Sequence, residues 1–157
     1  MKNLIFITTA LSALLLSGCN NKVENTSVPY AAVDFDIDTS ISGSDNKLRD
    51  GMTGNYRVYS TKFPAACSAG HGKYGVSGVV VVRAMDNTLY AFDMCCPHEA
   101  QKDIVLEMDG FFAKCKNCES LFEVGNGTGG VNSGPSKQPL KSYSVYRLSS
   151  ETYRVTN

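Results

Sequence analysis

The sequence predicts an all-β domain of small antiparallel sheets. Three observations predict it. No window shows ten residues of helical periodicity. Short β-branched or strictly alternating runs recur at close spacing. Fourteen glycines and five prolines punctuate a chain of 157 residues. Apolar residues make up 43% and charged residues 19%, the composition of a folded protein and not of a disordered tail. Fifteen basic side chains balance fifteen acidic ones without any basic run, so binding to nucleic acid by counterion release has no footing.

The elements follow in order. Val33 to Asp38 alternates apolar and acidic residues, the period of a strand with one buried face. Residues 41–60 are polar and glycine-punctuated, a loop with a short strand over Tyr56–Tyr59. Ser68 to Gly75 reads as a glycine-rich turn region. The uninterrupted β-branched run from Gly78 to Arg83 reads as a central strand, Met85 to Thr88 as a turn and Leu89 to Phe92 as the return strand. Ile104–Met108 and Phe111–Lys114 flank Asp109-Gly110, a hairpin signal. Ser120 to Val124 is a further strand, residues 125–135 a flexible loop, and Lys141–Leu148 with Thr152–Val155 a final hairpin. Asp34, Asp36 and Asp38 share one strand face, which reads as solvated and not as a calcium site. The glycines of 125–130 lack the Lys-Ser/Thr and following helix of a phosphate loop.

The first residues read as an address. Lys2 precedes a mostly apolar stretch, Leu4 to Leu16, which is too short to span a bilayer and has the length of a signal-peptide core. It ends in Leu16-Ser17-Gly18-Cys19, which resembles the lipobox of bacterial lipoproteins, where the cysteine thiol becomes the acyl acceptor. The expected organisation is a leader over 1–18, a polar tether over 19–27 and one folded domain over 28–157. The resemblance implies a lipid anchor at Cys19 in the bacterial cell envelope. Asn20 stands where inner-membrane retention uses Asp, so the outer membrane is expected over the inner one. The leader has no twin-arginine pair, which points to export as an unfolded chain.

Two clusters carry the chemistry. Cys95-Cys96-Pro97-His98 follows the strand ending at Phe92, and Cys115-Lys116-Asn117-Cys118 follows the strand over Phe111–Lys114. The intervening hairpin returns the chain to the same sheet edge, so Cys115 is expected near His98.

Cys96-x-His98, sixteen residues and then Cys115-x-x-Cys118 resembles the ligand pattern of Rieske [2Fe–2S] proteins. Phe122, Gly134-Pro135, Pro139-Leu140, Tyr143 and Val145 are similar to that family's aromatic, cluster-covering proline loop and last strand, so the likeness spans residues 76–148. It implies a Rieske-like fold with a cluster-binding subdomain of two loops over about 93–135. It also implies a [2Fe–2S] cluster on Cys96, His98, Cys115 and Cys118, covered by Gly134 and Pro135. The role implied is one-electron exchange with a redox protein partner, not stand-alone catalysis. Cytosolic oxygenase-associated ferredoxins share that fold, but the export signal argues against their role here.

Departures from the family pattern matter. Cys118 stands where the family has its second histidine, which adds negative charge and lowers the expected potential toward the roughly −400 mV of plant-type clusters. Glu119 replaces the family's usual glycine. Gln101 and Asn117 occupy the positions of the disulfide that some members carry between the ligand loops. With Cys19 lipidated and three cysteines as ligands, Cys67 and Cys95 remain, and a disulfide between them is one pairing that parity allows in an oxidising compartment.

Two other readings of the same residues stay open. Three cysteines and a histidine also make a closed tetrahedral zinc site. Alternatively, the thiols are oxidised to disulfides on a scaffold without metal. Either makes the chain a non-redox scaffold or binding module. A thioredoxin-like role fits less well, because Cys118 is followed by a strand and not by a helix. His71 reads as a solvated loop residue.

Overall fold

The computed structural model describes residues 26–60 and 72–157, so Cys19, Cys67 and His71 lie outside the described residues. Eleven strands are present there: β1 (Val33–Asp38), β2 (Tyr56–Tyr59), β3 (Lys73–Tyr74), β4 (Val79–Arg83), β5 (Leu89–Asp93), β6 (Glu107–Asp109), β7 (Phe112–Lys114), β8 (Leu121–Glu123), β9 (Gly130–Ser133), β10 (Ser142–Arg147) and β11 (Thr152–Thr156). A seven-stranded sheet runs β2-β4-β5-β10-β11-β1-β3, and a four-stranded sheet runs β6-β7-β8-β9. Every strand pairing is antiparallel. The all-β expectation therefore describes the architecture. No helix among the described residues is long and apolar enough to cross a membrane.

The unbroken valine run has a physical explanation in the core. Side chains alternate across a strand. Val79 and Val81 enter one cluster with Phe35, Ile37, Tyr59 and Val155. Val80 and Val82 enter a second with Phe92, Leu106, Phe122 and the thiols of Cys96 and Cys115. Both faces of β4 are thus buried, and each valine contributes roughly 1.5–3 kcal/mol by leaving water. The second cluster is what seats the small sheet against the large one. By contrast β1 is buried on alternate residues only. Its outward Asp36 sits opposite Arg154 on β11 and accepts two guanidinium bonds of 2.7 and 2.9 Å. Those bonds hold its carboxyl below the usual range, as a solvated ion-pair face requires.

Three local expectations differ from the structure. The ladder of β6 and β7 pairs Asp109 with Phe112, so the turn residues are Gly110 and Phe111 and not Asp109 and Gly110. Only Gly110 has positive φ, the glycine-first pattern of a type II′ turn. Residues 104–106 are not part of β6; Val105 makes an isolated bridge to Cys95 instead. The stretch 125–135 contains β9, which adds to β8 through an irregular register after Leu121. Short edge strands of this kind lack the alternating pattern that betrays them in sequence.

Asp93, the last residue of β5, ties the loop before β4 and strand β10 to the start of the first cysteine loop. Its fully buried carboxylate accepts the Tyr143 hydroxyl at 2.6 Å and the amides of Val76 (2.8 Å), Ser77 (3.3 Å) and Cys95 (2.8 Å). Gly75, at φ 66°, lets the loop wrap this group, since a β-carbon there would lie 2.3 Å from a carboxylate oxygen. Replacing Asp93 by Ala removes the one acceptor that these four donors share. We expect a loss of about 3 kcal/mol or more in urea unfolding, against about 1–2 kcal/mol for Tyr143→Phe, which removes a single donor.

Candidate metal centre

Two loops and a cover converge on one point. The first loop leaves β5 at Met94, whose amide donates to the Gly78 carbonyl (2.8 Å), while Leu106 returns a bond to the Met94 carbonyl (2.8 Å). Ala100, at φ 52°, closes the turn through its amide to the Cys96 carbonyl (2.8 Å). Inside that turn the amides of Glu99 and His98 favour the charged form of the Cys96 sulfur. The second loop joins β7 to β8 and is closed by the Cys115 amide on the Ser120 carbonyl (2.9 Å). Glu119 adopts φ 59° there, a left-handed backbone carried by a side chain that disfavours it. The cover is the segment Gly134-Pro135-Ser136. Gly134 packs directly on the second loop, since a β-carbon would lie 2.5 Å from Ser120 Cα. The Ser136 amide donates to Ser120 Oγ (3.0 Å).

The sulfurs of Cys96, Cys115 and Cys118 all lie within 4.8 Å of one another, and Cys96 and Cys118 are 3.7 Å apart. Cys96 and Cys115 are fully buried and Cys118 is half-buried. His98 is exposed and does not join the group. The structure brings three of the four expected ligands together, and His98 is not among them. Cys95, beside Cys96, points the other way. Its buried thiol donates to the Gln101 carbonyl (3.5 Å), and a pairing with Cys67 involves a residue outside those described. Ser120 is a site residue without a sequence signal: its Oγ accepts from the Cys118 thiol (3.2 Å) and from the cover loop, joining the two.

The thiols differ in acidity for local reasons. Burial pushes Cys96 up to about 12, although the amides of His98 and Glu99 oppose it. At Cys118 burial also raises the pKa, but the Ser120 hydroxyl and amide and the neighbouring thiols outweigh it and bring the group below the ordinary thiol value. Cys118 is thus the more acidic of these two thiols and Cys96 the less acidic.

The donor set discriminates between occupants. A two-iron cluster holds its terminal ligands in two pairs at opposite ends, which would set Cys118 a full cluster away from Cys96 and Cys115. All three sulfurs lie within 4.8 Å of one another with His98 outside the group, a placement that suits a single metal ion at least as well as a [2Fe–2S] cluster shared between Cys96/Cys115 and His98/Cys118. A single tetrahedral zinc with bonds of about 2.3 Å separates its sulfurs by about 3.8 Å, close to the spacing of Cys96 and Cys118. Cys96 and Cys118 match one edge of such a tetrahedron, and Cys115 lies within 4.8 Å of both.

No protein-family model matches the chain, and no curated protein matches it. Solved structures give distant, partial overlaps. The complex of reduced oxygenase and oxidized ferredoxin in carbazole 1,9a-dioxygenase is 22% identical, covering 66% of this chain and 82% of that one at a TM-score of 0.41. The Sphingomonas yanoikuyae B1 ferredoxin is 19% identical, covering 67% and 87% at a TM-score of 0.39.

Two outcomes follow from the loop geometry. Glu119→Gly removes the left-handed penalty and should raise stability by about 1 kcal/mol, a rise of roughly 2–4 °C in Tm by calorimetry. Metal uptake must displace thiol protons, so zinc affinity measured against a competing chelator should tighten from pH 6 to pH 8. The expected slope is about tenfold per pH unit for each proton displaced, because protonation at low pH competes with the metal.

Proposed function

We propose that this chain is a metal-stapled β-module of the cell envelope, a non-redox scaffold or binding domain whose two ligand loops are held by one structural zinc ion. The convergence of the Cys96, Cys115 and Cys118 sulfurs within 4.8 Å carries this reading. His98, two residues after Cys96 but outside the three-sulfur group, would have to turn inward to supply a fourth ligand. Zinc bound there contributes directly to folding, because the ligands are gathered only in the native state. It also keeps three thiols out of disulfides in an oxidising compartment. A one-electron carrier with a [2Fe–2S] cluster and a redox partner rests on the ligand spacing alone. Anchoring through an acylated Cys19 rests likewise on the lipobox-like sequence.

The test is metal, acid-labile sulfide and N-terminal mass analysis of mature protein purified anaerobically from its own envelope. The expected result is colourless protein with about one zinc, no sulfide and an acylated Cys19. Cys118→Ser should lose the zinc and several kcal/mol of stability. About two irons and two sulfides, with a rhombic EPR signal after reduction, would overturn the zinc reading in favour of electron transfer. Fully oxidised thiols without metal would leave the scaffold and remove the staple.

A further inference from the structure

A cavity of about 790 Å³ opens away from the thiols, where two strands of the large sheet part. The β5–β10 ladder pairs Phe92 with Ser142 and Ala91 with Tyr143 and then ends, while β10 continues along β11 alone. Leu89 and Tyr90 on one side and Ser144 and Val145 on the other line the cleft left between them. Its remaining wall comes from the segment before β1, through Tyr30.

Among the described residues Lys141 is the only charged side chain lining this cavity, and it is 8% exposed. Its Nζ lies 3.4 Å from the Pro29 carbonyl, 5.5 Å from the centre of the Tyr30 ring and 5.9 Å from that of Tyr143. No carboxylate side chain lines the cavity, and Lys141 forms no ion pair among the described residues. Its ammonium borders the cavity with one long hydrogen bond and so has two donors to spare beside the two aromatic faces. Such a cation is completed by an anion. One lysine, without a second cation or an arginine fork, matches a single negative charge better than a phosphate. The tyrosine walls suit a flat or apolar body behind that charge.

We infer that this cleft binds a small monocarboxylate, its carboxylate on Lys141 and its body between Tyr30 and Tyr90. The inference is independent of what the thiols hold.

Benzoate and its neutral counterpart benzyl alcohol are the probes, titrated into the protein as purified and followed by calorimetry. Saturable one-to-one benzoate binding is expected, weakened at least tenfold in Lys141→Met, with benzyl alcohol unable to distinguish the two proteins. Ser144→Trp fills the cleft while leaving the lysine in place, and it should abolish benzoate binding without loss of stability. Absence of saturable benzoate binding to the unaltered protein overturns the inference. So does benzoate affinity that survives in folded Lys141→Met or in Ser144→Trp, which would leave Lys141 as a cation–aromatic staple. If Lys141→Met does not fold, the Ser144→Trp comparison decides by itself.

Discussion

The buried carboxylate of Asp93 ties together three parts of the chain, and the placement of the thiols depends on it. It accepts from the loop before β4, from Tyr143 on β10 and from the amide of Cys95. A charge this deep is stable only when donors surround it. Its four partners therefore fix one another as well as the carboxylate. Cys96 leaves this junction in a single direction, into the apolar cluster between the sheets.

From that point the site is built by closure, not by a rigid scaffold. Each ligand loop turns on a left-handed residue that is not glycine, Ala100 in the first and Glu119 in the second. Such strain persists only where surrounding bonds over-determine it. Here those bonds are the Ala100–Cys96 and Cys115–Ser120 backbone pairs, with Ser120 also joined to the cover loop. The consequence is chemical. Two thiols lie buried among Phe92, Leu106 and Phe122, while the third keeps an edge toward solvent and a hydroxyl beside it. Metal held at that point would cross-link the small sheet to the end of β5, replacing the larger core that short strands do not provide.

The cleft at Lys141 and the thiol site sit on opposite consequences of the same strand. Where β5 pairs fully with β4, its far end delivers the first ligand loop. Where its ladder with β10 runs out, its near end leaves a gap bordered by tyrosines. A sheet that twists and exchanges partners produces both a tight corner and an open one.

The sequence by itself determined the strands that carry a burial pattern: the alternation of β1, the valine run of β4 and the last hairpin are legible because side-chain period reports burial directly. It also marked Cys96, Cys115 and Cys118 as candidate ligands, since cysteines at ligand spacing are rare by chance. What it left open was decided by tertiary contacts. Residues 130–133 pair only because β8 offers an edge, and the hairpin turn shifted to Gly110-Phe111 because cross-strand register governs turn position. Cys118 meets Cys96 across the two loops, with Ser120 bonded both to the Cys118 thiol and to the Ser136 amide. Spacing along a chain names donors. How many centres they form is set by distances across loops, which depend on hydrogen bonds between residues far apart in sequence.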